Sequence, residues 1–144
     1  MRVAPLYKTE PISPIAQAQF FNTVVLAALP ADDPPDPRDV LERAKDLERQ
    51  AGRRPGERYG PRPLDVDLLL FGDLVCSRYG AGAPGERRDL TLPHPRMRQR
   101  RFVLAPLADL APDLRLPPDD AAVKELLAAL GSNQAVEAID WSTR

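Results

Sequence analysis

The apolar and polar positions fall into short blocks, punctuated by proline and glycine. Residues 2–9 read as a strand, ended by Glu10-Pro11, and Pro11, Ser13 and Pro14 mark the loop that follows. Residues 20–29, FFNTVVLAAL, are largely apolar and β-branched, which predicts a buried strand. Two strands joined by a loop predict an antiparallel pair. Residues 30–37 form a Pro/Asp linker in which Asp36 can cap a helix with Pro37 at its first position. Val40, Ala44, Leu47 and Ala51 recur at helical spacing, and Gly52 ends the helix. A loop rich in Arg, Gly and Pro occupies residues 52–63. Residues 64–71, LDVDLLLF, predict a strand fully buried after Asp67. A Gly/Arg-rich loop spans residues 76–89. Residues 94–110 read mostly as helix, broken at Pro106. Asp119 or Asp120 can cap a last helix with the stripe Val123, Leu126, Leu127 and Leu130 and a stop at Gly131. Residues 135–141 predict a final strand. There is no internal repeat, and helices and strands mix without strict βαβ alternation, so the predicted class is α+β.

Composition adds bounds. The chain has 144 residues, 43% hydrophobic and 28% charged, which suits a single soluble domain over residues 1–144. No apolar run approaches the roughly 20 residues that span a bilayer. Met1-Arg2 opens no signal-like stretch, so no membrane partner and a cytoplasmic location are expected. A single cysteine, Cys76, excludes an internal disulfide and a Cys-rich zinc site. Net charge is −1, which argues against a nucleic-acid partner held by bulk electrostatics.

Charge is unevenly placed, however. Lys8, Lys45 and Lys124 are the only lysines; every other base is arginine. Arg49, Arg53, Arg54, Arg58 and Arg62 fall in one stretch with Glu57 as the interior acid, and Arg96, Arg98, Arg100 and Arg101 form a second cluster. Arginine forks suit bidentate phosphate contacts, although a solvated surface is the alternative for either cluster.

Asp65 and Asp67 are the sharpest chemical signal. In a strand they share a face, while Leu64, Val66 and Leu68 point the other way, into a core. Paired carboxylates suit Mg²⁺ completed by substrate phosphates, and the arginine loop ends directly before them. A solvent-facing edge with incidental acids is the alternative. No glycine-rich P-loop or dinucleotide motif occurs. His94 is the only histidine, held between Pro93 and Pro95 near Arg96, Arg98 and Arg100, where a phosphate or ribose contact fits better than a metal. Tyr59 lies inside the arginine loop, free to stack on a flat heterocycle.

Residues 52–53 and 57–72, with GR and ERYGPRPLDVDLLLFG, resemble the 6-hydroxymethyl-7,8-dihydropterin pyrophosphokinase family of folate biosynthesis. So do LTLPHPRM at 90–97, Arg100, FVLAPL at 102–107, APD at 111–113, LYKTEP at 6–11 and FFN at 20–22, all in the family's order. The resemblance implies a ferredoxin-like α+β fold, an antiparallel sheet with helices packed on it. It implies transfer of pyrophosphate from ATP to 6-hydroxymethyl-7,8-dihydropterin, releasing AMP. Asp65 and Asp67 would hold two Mg²⁺ ions, and Arg53 and Arg62 would sit on the phosphates. Glu48, Arg62, Leu68, Thr91, His94 and Arg100 match ATP-side positions. Thr9, Ile12, Phe20, Asn22, Tyr59 and Phe102 match the pterin pocket, with Tyr59 and Phe102 sandwiching the ring. Tyr59 stands where the family usually has tryptophan, the loop before it is about one residue short, and the 76–89 loop is longer than usual. The family's opening strand, Gly-Ser-Asn turn and helix have no counterpart before Arg2. The chain is therefore expected to be N-terminally short, and its sheet, open where that strand would lie, could close by dimerisation although the family is usually monomeric. A truncated or non-catalytic pterin- or nucleotide-binding relative, and a small RNA-binding module, are the rival readings.

Overall fold

The structure is a computed structural model that describes residues 1–9, 20–52, 64–77, 90–131 and 136–139; for Phe20 the backbone alone is described. In chain order the first elements are β1 (Arg2–Val3), β2 (Leu6–Thr9), β3 (Phe20–Asn22), β4 (Val25–Leu26) and α1 (Pro37–Gln50). A 3₁₀ turn at Met97–Gln99 leads into α2 (Arg101–Leu110), followed by β5 (Arg115–Leu116), β6 (Ala121–Ala122), α3 (Val123–Leu130) and β7 (Val136–Ile139). All strand pairings are antiparallel, so the class is α+β as the sequence predicts. The chain divides into two compact units, Met1–Ala28 with Pro95–Arg144, and Leu29–His94. No helix among the described residues is long and apolar enough to cross a membrane.

In the first unit the predicted hairpin partners pair, but not as two continuous strands. Val3 lies opposite Val25 and Tyr7 opposite Asn22, so the first strand carries one residue more than its partner between those pairs. That is a β-bulge, and it falls where Pro5 has no N–H to give the ladder. The neighbouring groups stay bonded: Ala4 N donates to Val24 O at 3.0 Å. The Thr23 hydroxyl lies 2.9 Å from Ala4 O and 3.1 Å from Pro5 O. The expectation of one buried strand over residues 20–29 is therefore corrected. Val24 is buried, whereas Phe21 and Val25 are each 51% exposed. β2 is the middle strand of three, in the order β3-β2-β7, with Thr9 opposite Val136. The C-terminal strand predicted by sequence is thus present.

Helix α2 runs through Pro106 rather than breaking there. Proline in a helix interior removes one hydrogen bond and costs ~3 kcal/mol. Val103, Leu104, Ala105, Pro106 and Leu107 are all buried on this helix, and that burial offsets the loss. Tyr7 donates its hydroxyl to the Asp109 carboxylate, tying α2 to β2. Burial first, and this hydrogen bond second, push the Tyr7 pKa up to about 12. The Arg2 guanidinium donates to Leu110 O at 2.7 Å, at the negative end of the helix.

The expected acidic cap of α3 is also corrected. Its N-cap is Ala122, and its first amides are satisfied by the backbone: Val123 N donates to Leu114 O at 2.9 Å and Lys124 N to Pro112 O at 3.1 Å. Asp119 is engaged elsewhere, with Arg98, and Asp120 sits in the left-handed region at φ 63°. Gly131, at φ 66°, ends the helix as predicted.

In the second unit α1 begins as predicted. Asp36 accepts Arg38 N at 2.9 Å, Pro37 opens the helix, and Gly52 follows the Ala51 cap at φ 109°. The buried face differs from the predicted one. Pro37, Leu41, Ala44 and Glu48 are buried, while Leu47 is 52% exposed. Leu41, Leu90 and Leu92 form the core, packed by Leu68, Phe71, Leu74 and Cys76. Cys76 and Leu92 exchange backbone hydrogen bonds of 3.0 and 2.9 Å. Residues 64–71 form no ladder: no described strand lies beside them, and Leu68 to Phe71 are half-buried, not the buried strand expected.

Candidate functional site

Asp65 and Asp67 are both exposed, with half-buried Val66 between them and half-buried Leu68 after. That alternation turns both carboxylates to the same, solvent-facing side, as the spacing predicts. Leu64 departs from the expected pattern: it is 39% exposed. Exposed carboxylate oxygens are hard donors that fit Mg²⁺, which takes one or two carboxylates and leaves its remaining positions to phosphate and water. No cluster of three or more His, Cys, Asp or Glu that could hold a metal occurs among the described residues.

The segment bearing the pair lacks a ladder but is pinned at two points. The buried Glu48 carboxylate accepts the Val66 N–H at 2.9 Å, between the two aspartates. Its side chain also pairs with Lys45 Nζ at 3.0 Å. Further along, His94 N donates to Leu69 O at 2.8 Å. His94 and Thr91 are half-buried, and Thr91 lies between buried Leu90 and Leu92. Leu68 packs against the Leu41–Leu90–Leu92 core. Five sequence-predicted positions, Glu48, Asp65, Asp67, Leu68 and His94, thus share one frame in the second unit. Glu48, which the resemblance matches to the ATP side, is joined to the aspartate segment by its bond to Val66 N. The signal for this was a charged residue four positions after Ala44 on the buried face, in place of Leu47.

The first unit carries the described residues among those that the resemblance matches to the pterin pocket. Asn22 Nδ2 donates to Thr9 Oγ1 at 3.3 Å across β2 and β3, so these two residues are brought together. The Phe20 backbone lies opposite Thr9. The Arg100 guanidinium sits 5.4 Å from the centroid of the Phe102 ring, a cation–π contact. Arg98, from the second arginine cluster, is committed structurally: it bonds Asp119 at 2.9 and 2.6 Å and Pro117 O at 3.2 Å. The hydrogen bond from Arg98 holds the Asp119 carboxyl down to about 2. Arg53, Arg62, Ile12 and Tyr59, and the side chain of Phe20, lie outside the described residues.

Comparison with known proteins finds one family and its relatives. Residues 1–112 match the family described as 7,8-dihydro-6-hydroxymethylpterin-pyrophosphokinase. A Pseudomonas aeruginosa protein named 2-amino-4-hydroxy-6-hydroxymethyldihydropteridine pyrophosphokinase is 45% identical over 127 residues, covering 88% of this chain and 70% of that protein. The Mycobacterium tuberculosis protein of the same name is 40% identical over 114 residues, covering 78% of this chain and 58% of its own length. A folate synthesis bifunctional protein, mitochondrial, of Arabidopsis thaliana is 39% identical over 105 residues, 73% of this chain and 17% of that protein.

Proposed function

The chain belongs to the 7,8-dihydro-6-hydroxymethylpterin-pyrophosphokinase family, and we propose that it transfers pyrophosphate from ATP to 6-hydroxymethyl-7,8-dihydropterin, releasing AMP. The observation that carries this reading is the exposed Asp65/Asp67 pair on a segment pinned by Glu48 and His94. In this reading Asp65 and Asp67 hold Mg²⁺, which when bound neutralises triphosphate charge and aligns the reacting oxygens. Thr91, His94 and Arg100 contact the nucleotide. Arg53 and Arg62 steady the phosphates as the bond to the α-phosphate breaks. Thr9, Asn22 and Phe102, with Ile12, Phe20 and Tyr59, hold the pterin so that its hydroxymethyl oxygen meets the β-phosphorus. Alignment and charge neutralisation, rather than a covalent intermediate, supply the rate. The reaction is taken to run in the cytoplasm, as residues 1–144 acting as one catalytic domain.

The test is AMP release from MgATP with the hydroxymethyl pterin. Turnover is expected in the wild-type chain, and loss of ~10²-fold or more in Asp65→Ala or Asp67→Ala with the melting curve retained. Ligand binding without AMP release would instead show a non-catalytic relative.

A further inference from the structure

We infer that Glu48 is a positioning residue for the Asp65/Asp67 pair, acting through the Val66 amide that it accepts. The inference rests on the reading of Asp65 and Asp67 as the metal-holding pair. A carboxylate that is 1% exposed is costly to bury unless its oxygens are bonded. Glu48 Oε1 accepts from two donors, Lys45 Nζ at 3.0 Å and Val66 N at 2.9 Å. Val66 is the one residue between the aspartates, so fixing its amide fixes the peptide plane joining Asp65 to Val66 and, through the Val66 Cα, restrains the start of Asp67. No described strand does that work here. The 18-residue separation makes the contact a tether between the last turn of α1 and the aspartate segment. Glu48 is thus placed to set the spacing of the two carboxylates through the backbone between them. Residues behind metal ligands commonly change metal affinity 10–100-fold when removed.

The test uses the full chain, Mn²⁺ as the metal probe and a non-hydrolysable ATP analogue. Mn²⁺ binding is followed by electron paramagnetic resonance, and the Val66 amide by hydrogen exchange. Glu48→Ala is expected to weaken Mn²⁺ binding in the presence of the analogue about tenfold and to speed Val66 exchange by at least as much. Glu48→Gln, which keeps an oxygen acceptor for the Val66 N–H, is expected to recover most of both. Should Glu48→Ala fail to fold, the Gln variant decides alone: Val66 protection with Mn²⁺ affinity within about threefold of wild type supports the role. Fast Val66 exchange with unchanged Mn²⁺ affinity in either variant overturns it, because the tether would then be broken without consequence. Slow Val66 exchange in Glu48→Ala overturns it as well. Failure of the wild-type chain to bind Mn²⁺ with the analogue is a different outcome, which overturns the functional reading on which the inference rests.

Discussion

Asp65 and Asp67 were legible from spacing alone, because residues two apart in an extended chain share a face whatever lies beside them. Glu48 was legible as a candidate, but its bond to Val66 N was not. Its acceptor function depends on an amide in another segment, which no local pattern encodes. The arginines divide the same way. Sequence grouped Arg98 with Arg96, Arg100 and Arg101, yet Arg98 is held by Asp119 and Pro117 O. That pairing makes a pH prediction. The Asp119 pKa is lowered from 3.8 to about 2, first by the Arg98 hydrogen bond. A depressed carboxyl stabilises the fold above its ordinary pKa and loses that contribution as pH falls through the lowered one. Wild type is therefore expected to melt higher than Asp119→Asn near neutral pH, with the gap closing between about pH 3.8 and about pH 2. Thermal melts of the two proteins across that window check it; a gap that stays constant would mean the pair contributes nothing through ionisation.

Element boundaries were easier to read than element faces. The start of α1 follows from Asp36-Pro37 and its end from Gly52, since caps are local chemistry. Its inward face was misplaced, because Glu48 is buried by partners outside the helix and Leu47 is not covered. Pro106 misled for a related reason: its local cost was known, but the burial of its neighbours was not. The strand break between β1 and β2 shows the same competition. Pro5 removes a ladder donor, and the Thr23 hydroxyl reaches the carbonyls left at the bulge. Thr23→Val keeps the shape and the strand preference while removing that hydroxyl. It is expected to destabilise the chain by about 1 kcal/mol, the net worth of one such hydrogen bond. Urea unfolding measures this directly, and an unchanged midpoint would show that the carbonyls are equally well served by water.

At the scale of the whole chain, the described candidate residues sort by unit. Glu48, Asp65, Asp67, Leu68, Thr91 and His94 belong to Leu29–His94, and Thr9, Asn22, Arg100 and Phe102 to the other unit. Sequence gave no sign of that division, since both units are built from segments that alternate in polarity in the same way and the first is assembled from both ends of the chain. The strand expected over residues 64–71 failed for a reason at this scale too: a ladder needs a neighbour, and pairing is a property of two segments rather than one. The division makes a last prediction. A metal–nucleotide analogue alone should slow hydrogen exchange at residues 64–71 and 90–94, which carry Asp65, Asp67, Leu68, Thr91 and His94. In the other unit, protection from the nucleotide should be confined to the neighbourhood of Arg100. Adding the pterin should extend protection to β2, β3 and the first turn of α2, which carry Thr9, Asn22 and Phe102. Exchange followed by mass spectrometry with each ligand singly and then with both reads the two patterns apart. Protection of β2 and β3 by nucleotide alone would overturn the assignment of nucleotide and pterin to different residues.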